Sequence, residues 1–512
     1  MALKRSGVNR TPEPSERRPE VRDGATAPGN GAPELSDRRR TVILAICCMS
    51  LLIVAMDSTI VNVALPSIHR ELHAPVSGLQ WTIDAYVIVI ASLLLLAGST
   101  ADRVGRRRTF QVGLTVFGAS SLLCSLAPSL DWLIAARALQ GVGGSMLNPV
   151  AMSIITNVFT EPRERARAIG AWGAVVGISL ALGPIVGGAL TQSVSWRAIF
   201  WINVPIAAAA VILTALFVPE SRAPRPRRVD PVGQLLVIVA LASLTYAIIE
   251  GPSAGWSSAQ TIGLFALAIL ALTALIVYEP RRQDPLIELR FFRSAPFSGA
   301  TLIAVSAFAA FSGFLFVNTL YLQDVRGYSP LQAGLCTVPM AAAAFACSLL
   351  SGRAVGSRGP RLPLFVAGGC MMLSALVLTT LTATTPLLLL LAVYAVFGVG
   401  FGTVNAPITY TAVSGMPNNQ AGVAAAVAST SRQVGQALGV AVTGSILGVA
   451  AGSGIGAHLA RASHPAWWLI TGCGACVLAL GAATSGAWAR RTAQRCAEQL
   501  EQEAAARPLQ PA

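Results

Sequence analysis

The chain has 512 residues, of which 54% are hydrophobic and 12% charged, with 37 Lys and Arg against 23 Asp and Glu. A soluble domain carries about 25% charged residues, so this composition excludes an ordinary water-soluble enzyme. Apolar runs recurring near the ~20-residue spanning length point to a polytopic membrane protein. The formal charge of +14 would suit nucleic acid, but its distribution along the chain argues against such a partner.

Residues 1–40 are polar and basic, with scattered Pro, Gly and Ser and no apolar run. They read as a disordered cytoplasmic tail, not a signal peptide. Fourteen apolar segments follow, near 41–64, 80–100, 109–127, 132–157, 166–190, 198–218, 231–250, 260–278, 297–322, 331–351, 362–382, 386–410, 421–449 and 466–488. With the first tail inside, an even number of crossings returns the second tail, 489–512, to the same side. The positive-inside rule tests that arrangement. Of the 37 basic residues, 31 fall in segments placed in the cytoplasm, four outside (Arg70, Arg197, Arg326, Arg461) and two within spans (Arg137, Arg432). The basic excess is therefore topological. The expected location is the cytoplasmic membrane, with both termini in the cytoplasm.

The first span carries Asp57 about 25 Å from its start at 1.5 Å per residue, near the midplane. Desolvation there favours the protonated carboxyl, and an approaching guanidinium favours the ionised one; a switch of that kind is what proton coupling needs. Asp84 enters the second span just after Trp81 and is the second candidate carboxylate, placed near the outer mouth. The loop after that span, Gly98 to Arg108, combines Asp102, Arg103, Arg106 and Arg107 with Gly98 and Gly105. Gly105 permits a tight turn, and Asp102 can pair with a guanidinium or sit at a helix N-terminus of a facing bundle. Such contacts would latch one conformation.

In the fourth span, Leu133 to Gly144 reads LIAARALQGVGG. A guanidinium at membrane depth costs about 2.5–3.5 kcal/mol on insertion scales, so Arg137 must face a partner or a wet cavity; Asp57 is the obvious counterpart. Gly141, Gly143 and Gly144 are small enough for close helix contact. In the fifth span Gly183-Pro184 removes a backbone hydrogen bond and bends the helix. Gly173, Gly177, Gly183, Gly187 and Gly188 leave one side of it smooth.

A weak repeat relates the two halves. Gly98 to Arg107 after the second span corresponds to Gly352 to Arg361 after the tenth, and Gln140-Gly141-Val142-Gly143 to Phe397-Gly398-Val399-Gly400, with Tyr394 where Arg137 would be. This fits an all-α membrane fold: a six-helix bundle over 41–218, a two-helix insert with connectors over 219–296, and a second six-helix bundle over 297–488. Two related halves with polar groups at midplane suit an alternating-access transporter. Gln140, Asn148, Asn318, Arg432 and Gln433 are candidates for the wall of a substrate cavity.

Other motifs carry little. Cys473 and Cys476 have CxxC spacing inside an apolar helix, where thiols are inert. His69 and His73 stand four apart without a third ligand, so no metal site is expected. The single lysine, Lys4, lies in the tail, so no P-loop exists and direct ATP drive is excluded. The absence of a long loop with an acid–base cluster argues against a membrane enzyme.

These motifs together resemble the major facilitator superfamily, specifically its fourteen-span drug:proton antiporters. Gly98 to Phe110 is similar to the loop motif G-x-L-a-D-r-x-G-r-[kr]-x-x-l, with Thr100 for Leu. Leu133 to Gly144 matches L-x-x-x-R-x-x-q-G-x-g-a. Ser179-x-x-x-Gly183-Pro184-x-x-Gly187-Gly188 resembles the exporter motif g-x-x-x-G-P-x-x-G-G, and Met56 to Pro66 the first-helix signature of the fourteen-span group. The resemblance implies export of lipophilic drugs or antibiotics from the cell, coupled to protons through Asp57, Asp84 and Arg137, with no cofactor beyond the coupling proton. Uptake or facilitated movement of a polar metabolite is the alternative on the same fold. Substrate identity, proton stoichiometry and oligomeric state stay open.

Overall fold

The computed structural model describes residues 36–223, 229–282, 285–417, 420–450 and 459–506. Most of the expected N-terminal tail, Lys4 included, lies outside the described residues. Helices make up nearly all of what is described, and no strand occurs there.

A helical hairpin opens the fold, α1 (Asp37–Leu72) and α2 (Val76–Val104). Ser36 caps α1 by accepting from the Arg39 amide, and His73 ends it in the left-handed region at φ 50°. The chain continues through α3 (Arg106–Ser125), α4 (Leu130–Val158), α5 (Pro162–Ser193), α6 (Ala198–Trp201) and α7 (Asn203–Phe217). A second hairpin follows, α8 (Pro231–Ala254) and α9 (Ala259–Tyr278). Next come α10 (Ala295–Leu320), extended by a π-turn at Tyr321–Val325, α11 (Pro330–Cys336) and α12 (Val338–Arg358). The chain closes with α13 (Arg361–Leu378), α14 (Leu387–Val413), α15 (Ala421–Ala450), α16 (Leu459–Ala462), α17 (His464–Thr484) and α18 (Ala487–Ala506).

Among the described residues, eleven helical segments are long and apolar enough to cross a membrane, with α6–α7 and α11–α12 each counting as one. The long helices α3, α4 and α15 are not among them. Each still occupies a segment where the sequence predicts a span.

Two of the expected spans are broken. Segment 198–218 divides near Ile202, three residues before Pro205, and segment 331–351 divides at Thr337, two before Pro339. A proline supplies no amide to the preceding turn and clashes with the carbonyl four residues back, so the helix restarts. The second tail is not free of structure either. α18 buries Ala489, Ala493, Cys496 and Leu500, an i, i+4, i+7, i+11 stripe that makes one apolar face. That face lies against the start of α10 and the turn at Leu289–Arg293, and Thr492 Oγ1 accepts from the Ala295 amide at 3.0 Å.

Helices α1 to α7 pack mainly on one another, as do α10 to α17. The two groups meet along α2 with α15, and along α5 with α11 and α12. Gln80 Nε2 donates to the carbonyls of Ala441 (2.7 Å) and Val440 (3.3 Å), and Gln323 Nε2 to that of Val63 (2.8 Å). These bonds all lie toward the end of the molecule where α1 finishes and α2 begins. At the opposite end the first half of α5 is largely exposed or half-buried. The α8–α9 hairpin sits over the α2–α15 seam through α8 alone, and α9 touches little beyond α8.

Candidate functional site

The centre of the first group of helices is polar. Arg137 on α4 and Asp57 on α1 are 1% and 0% exposed, and Nη1 of the arginine lies 2.6 Å from Oδ2 of the aspartate. The same nitrogen reaches Gln140 Oε1 at 2.6 Å, and Nε donates to the Thr82 carbonyl of α2 at 2.9 Å. Gln140 Nε2 donates to Asp57 Oδ1 (3.0 Å) and Ser121 Oγ (2.7 Å), and Asn203 Nδ2 completes the shell at 3.1 Å from Oδ1. The guanidinium carbon stands 4.2 Å from the Tyr86 ring centre and 5.6 Å from that of Phe200. Side chains or carbonyls of α1, α2, α3, α4, α6 and α7 thus converge on one ion pair.

The local sequence makes that convergence possible. A Cβ on Gly141 would stand 2.7 Å from the Tyr86 carbonyl of α2, and one on Gly143 2.5 Å from the Phe117 amide of α3. The QGVGG run therefore lets α4 press on two helices at once while its third face delivers Arg137 to α1. Gln140, expected on a cavity wall, is instead sealed inside the cluster with both ends of its amide occupied.

Asp84 lies one turn beyond Gln80 on α2 and is 0% exposed. Neither carboxylate oxygen has a hydrogen-bond partner among the described residues. The carboxyl is thus enclosed by the protein and takes part in no hydrogen bond among the described residues. Glu250, at the far end of α8, accepts from Trp81 Nε1 at 3.0 Å.

The loop between α2 and α3 turns at Gly105, whose φ of 129° is a glycine conformation. Asp102 Oδ1 accepts from Arg106 Nε (3.2 Å) and Nη2 (3.0 Å), one turn away. Among the described residues the loop is fastened to the segment after α7. Glu220 Oε1 accepts from the Arg107 amide at 3.1 Å, its Oε2 lies 3.7 Å from Arg108 Nε, and Arg107 Nη2 donates to the Ala215 carbonyl at 2.8 Å. Two backbone bonds, Arg106 N to Ser221 O (2.9 Å) and Ala223 N to Asp102 O (3.0 Å), complete the clasp. A Cβ added to Gly98 would meet nothing within 4 Å, so close packing does not explain that glycine.

α5 is a continuous helix through Pro184. Gly183 and Gly187 face Thr59 and Ile60 of α1, while Gly188 approaches the Pro330 carbonyl to 2.5 Å, measured from its would-be Cβ. Across the same contact a Cβ on Gly334 would meet the Pro184 carbonyl. The motif is therefore the close contact between the two groups of helices. Gly177 meets Phe345 of α12, and Gly173 is open.

The remaining cavity candidates divide. Asn148 on α4 has a buried Oδ1 with no partner among the described residues. Asn318 on α10 accepts from the Tyr394 hydroxyl of α14, a neutral counterpart in the second group of the Asp57–Arg137 bond. Arg432 and Gln433 on α15 are half-buried. Sequence reasoning missed Asn203, Ser121, Tyr86 and Glu220; Asn203, a lone amide in FWINVP, was the one available signal.

Comparison with known proteins agrees with this arrangement. Residues 47–440 match the Major Facilitator Superfamily. The chain is 36% identical over 402 residues to the multidrug resistance protein Stp of Mycobacterium tuberculosis, covering 78% of this chain and 75% of that protein. It is 35% identical over 418 residues to the tetracenomycin C resistance and export protein of Streptomyces glaucescens, covering 81% and 76%. The puromycin resistance protein pur8 of Streptomyces alboniger is 37% identical over 409 residues, covering 78% and 80%. Among solved structures, a bacterial homolog of the human lysosomal transporter Spinster, inward-facing and occupied, superposes with a TM-score of 0.63 at 17% identity, covering 90% of this chain and 98% of that one. With its all-helical fold, its apolar spans and its match over most of its length, the chain belongs to the Major Facilitator Superfamily of multi-pass membrane transporters.

Proposed function

We propose that this transporter exports lipophilic drugs or antibiotics across the cytoplasmic membrane in exchange for protons, by alternating access. The observation that carries the reading is the sealed Asp57–Arg137 pair, with the unpartnered Asp84 on the adjoining helix. A proton reaching Asp57 would weaken its hold on Arg137 and release α1 from α4; its departure would restore the pair. Asp84 is the relay, since its protonation disturbs no described bond. The resistance proteins named above align with most of this chain, which supports cargo of the same kind.

The proposed architecture is fourteen spans, counting α3, α4 and α15, in two six-helix bundles over 41–218 and 297–488, with α8 and α9 as the insert. Both termini are placed in the cytoplasm on the strength of the basic residues. On that orientation the bonds of Gln80 and Gln323 close the outer side in the form described. The loop clasped by Glu220 serves as the conformational latch, and the contact of α5 with α1 and α11 as the hinge.

The test uses the full chain in lipid vesicles. A compound chosen from a susceptibility panel in an efflux-deficient host should move only under an imposed pH step. Asp57→Asn should still insert and bind but no longer respond to the step. Wild-type movement indifferent to the pH step, or transport by Asp57→Asn at the normal rate, would overturn the assignment. In cells, retained compound should rise on adding an uncoupler; a fall would mark uptake.

A further inference from the structure

We infer that Arg432 is a cargo-binding residue that selects for organic anions, taking a carboxylate or phenolate carried on a lipophilic small molecule. This rests on the transporter reading above and adds the charge class of the cargo. The four charged side chains set well inside the spans of the two halves are Asp57, Asp84, Arg137 and Arg432. Asp57 and Arg137 neutralise each other. Arg432 takes part in no ion pair among the described residues.

Its partners are neutral. Nη2 donates to Thr409 Oγ1 of α14 at 2.6 Å and Nη1 to Ser429 Oγ at 3.2 Å, while Nε is buried without a partner. Thr409 spends its own proton on the Asn405 carbonyl at 3.2 Å, so it meets Arg432 as an acceptor. The guanidinium is thereby aimed but not neutralised. It also bridges a gap: α15 packs closely on α10, and α14 on α12 and α13, but α14 and α15 touch each other little. Thr409 and Tyr410 are exposed there, at the end opposite the Gln80 and Gln323 bonds. Between residues 295 and 484 the only Asp or Glu is Asp324, in the π-turn at the other end. Apart from Asp324 at that far end, a cationic drug would find no carboxylate in these helices, whereas the planar fork of donors on Arg432 suits a carboxylate. An uncompensated cation at membrane depth is costly and marks a ligand path.

Fluorescein and rhodamine 123 share a xanthene core and differ in charge. With the full chain in lipid nanodiscs, fluorescence polarisation should show fluorescein bound more tightly than rhodamine 123. Arg432→Gln should weaken fluorescein binding roughly tenfold or more, the scale of a lost charged hydrogen bond, and leave rhodamine 123 unchanged. Arg432→Lys, which keeps the charge but not the fork, should recover part of the fluorescein affinity lost in Arg432→Gln. Equal loss of both dyes in Arg432→Gln, no loss of either, or no fluorescein binding by the wild type would overturn the inference. Proton-driven efflux with fluorescein binding intact in Arg432→Gln would defeat this inference alone. Fluorescein binding through Arg432 in a chain indifferent to the pH step would defeat the antiport reading alone.

Discussion

Asp57 accepts from three side-chain nitrogens at once, those of Arg137, Gln140 and Asn203, and all are out of reach of water. Deleting one member of a buried ion pair strands the other and costs about 3–5 kcal/mol. Arg137→Leu should accordingly lower the melting temperature of the purified protein, read as loss of the monodisperse peak after heating. Adding Asp57→Leu should recover part of that loss, because the stranded charge is gone; simply additive losses would show that the two residues do not interact. Both charges were legible in the sequence, since a formal charge in an apolar run has few explanations. Ser121 and Tyr86 were not, and Asn203 showed only as a lone amide. Uncharged polar groups occur throughout these spans, and only the packing of α2 and α3 onto α4, and of α7 onto α1 and α3, distinguishes these three.

At the level of elements, the two glycines of the α2–α3 loop should behave differently. Gly105 has a φ of 129° and the Glu220 carboxyl 2.5 Å from a would-be Cβ. A side chain there carries backbone strain of about 1–3 kcal/mol and pushes the clasp apart. Gly105→Ala should slow transport and expose the loop to trypsin at Arg106–Arg108, whereas Gly98→Ala, with open space around it, should leave both near wild type. Glu220→Gln should resemble Gly105→Ala in proteolysis; if it stays as resistant as wild type, the carboxylate does not hold the loop. Spans were readable from hydrophobic runs, but the clasp was not, because it joins residues more than a hundred positions apart. α18 escaped for another reason. Its apolar stripe is built of Ala and Cys among charged residues, too weak for a span, and gains meaning only where α10 covers it.

For the whole molecule, the contact between halves at Gln80 and Gly444 gives a direct handle. Gln80 Cδ lies 2.4 Å from a would-be Cβ on Gly444, so cysteines at these two positions should cross-link. Oxidation of Gln80→Cys/Gly444→Cys should stop transport and a reductant should restore it; full activity after complete cross-linking would show that this seam never opens. The succession of apolar helices was legible as hydrophobic runs, while the seam itself depended on which faces of α2 and α15 carry small residues. The α8–α9 hairpin adds a constraint of its own. It is tied to α2 through Gln234 on the Ser92 carbonyl and Glu250 on Trp81, and to α15 through Ser445 on the Ile248 carbonyl. Were the halves to rock apart at this seam, the hairpin could not keep both sets of bonds. On the proposed alternating-access cycle it would travel with one half as a passenger and slide on the other, so each turnover would include the breaking and remaking of a third interface that neither half owns.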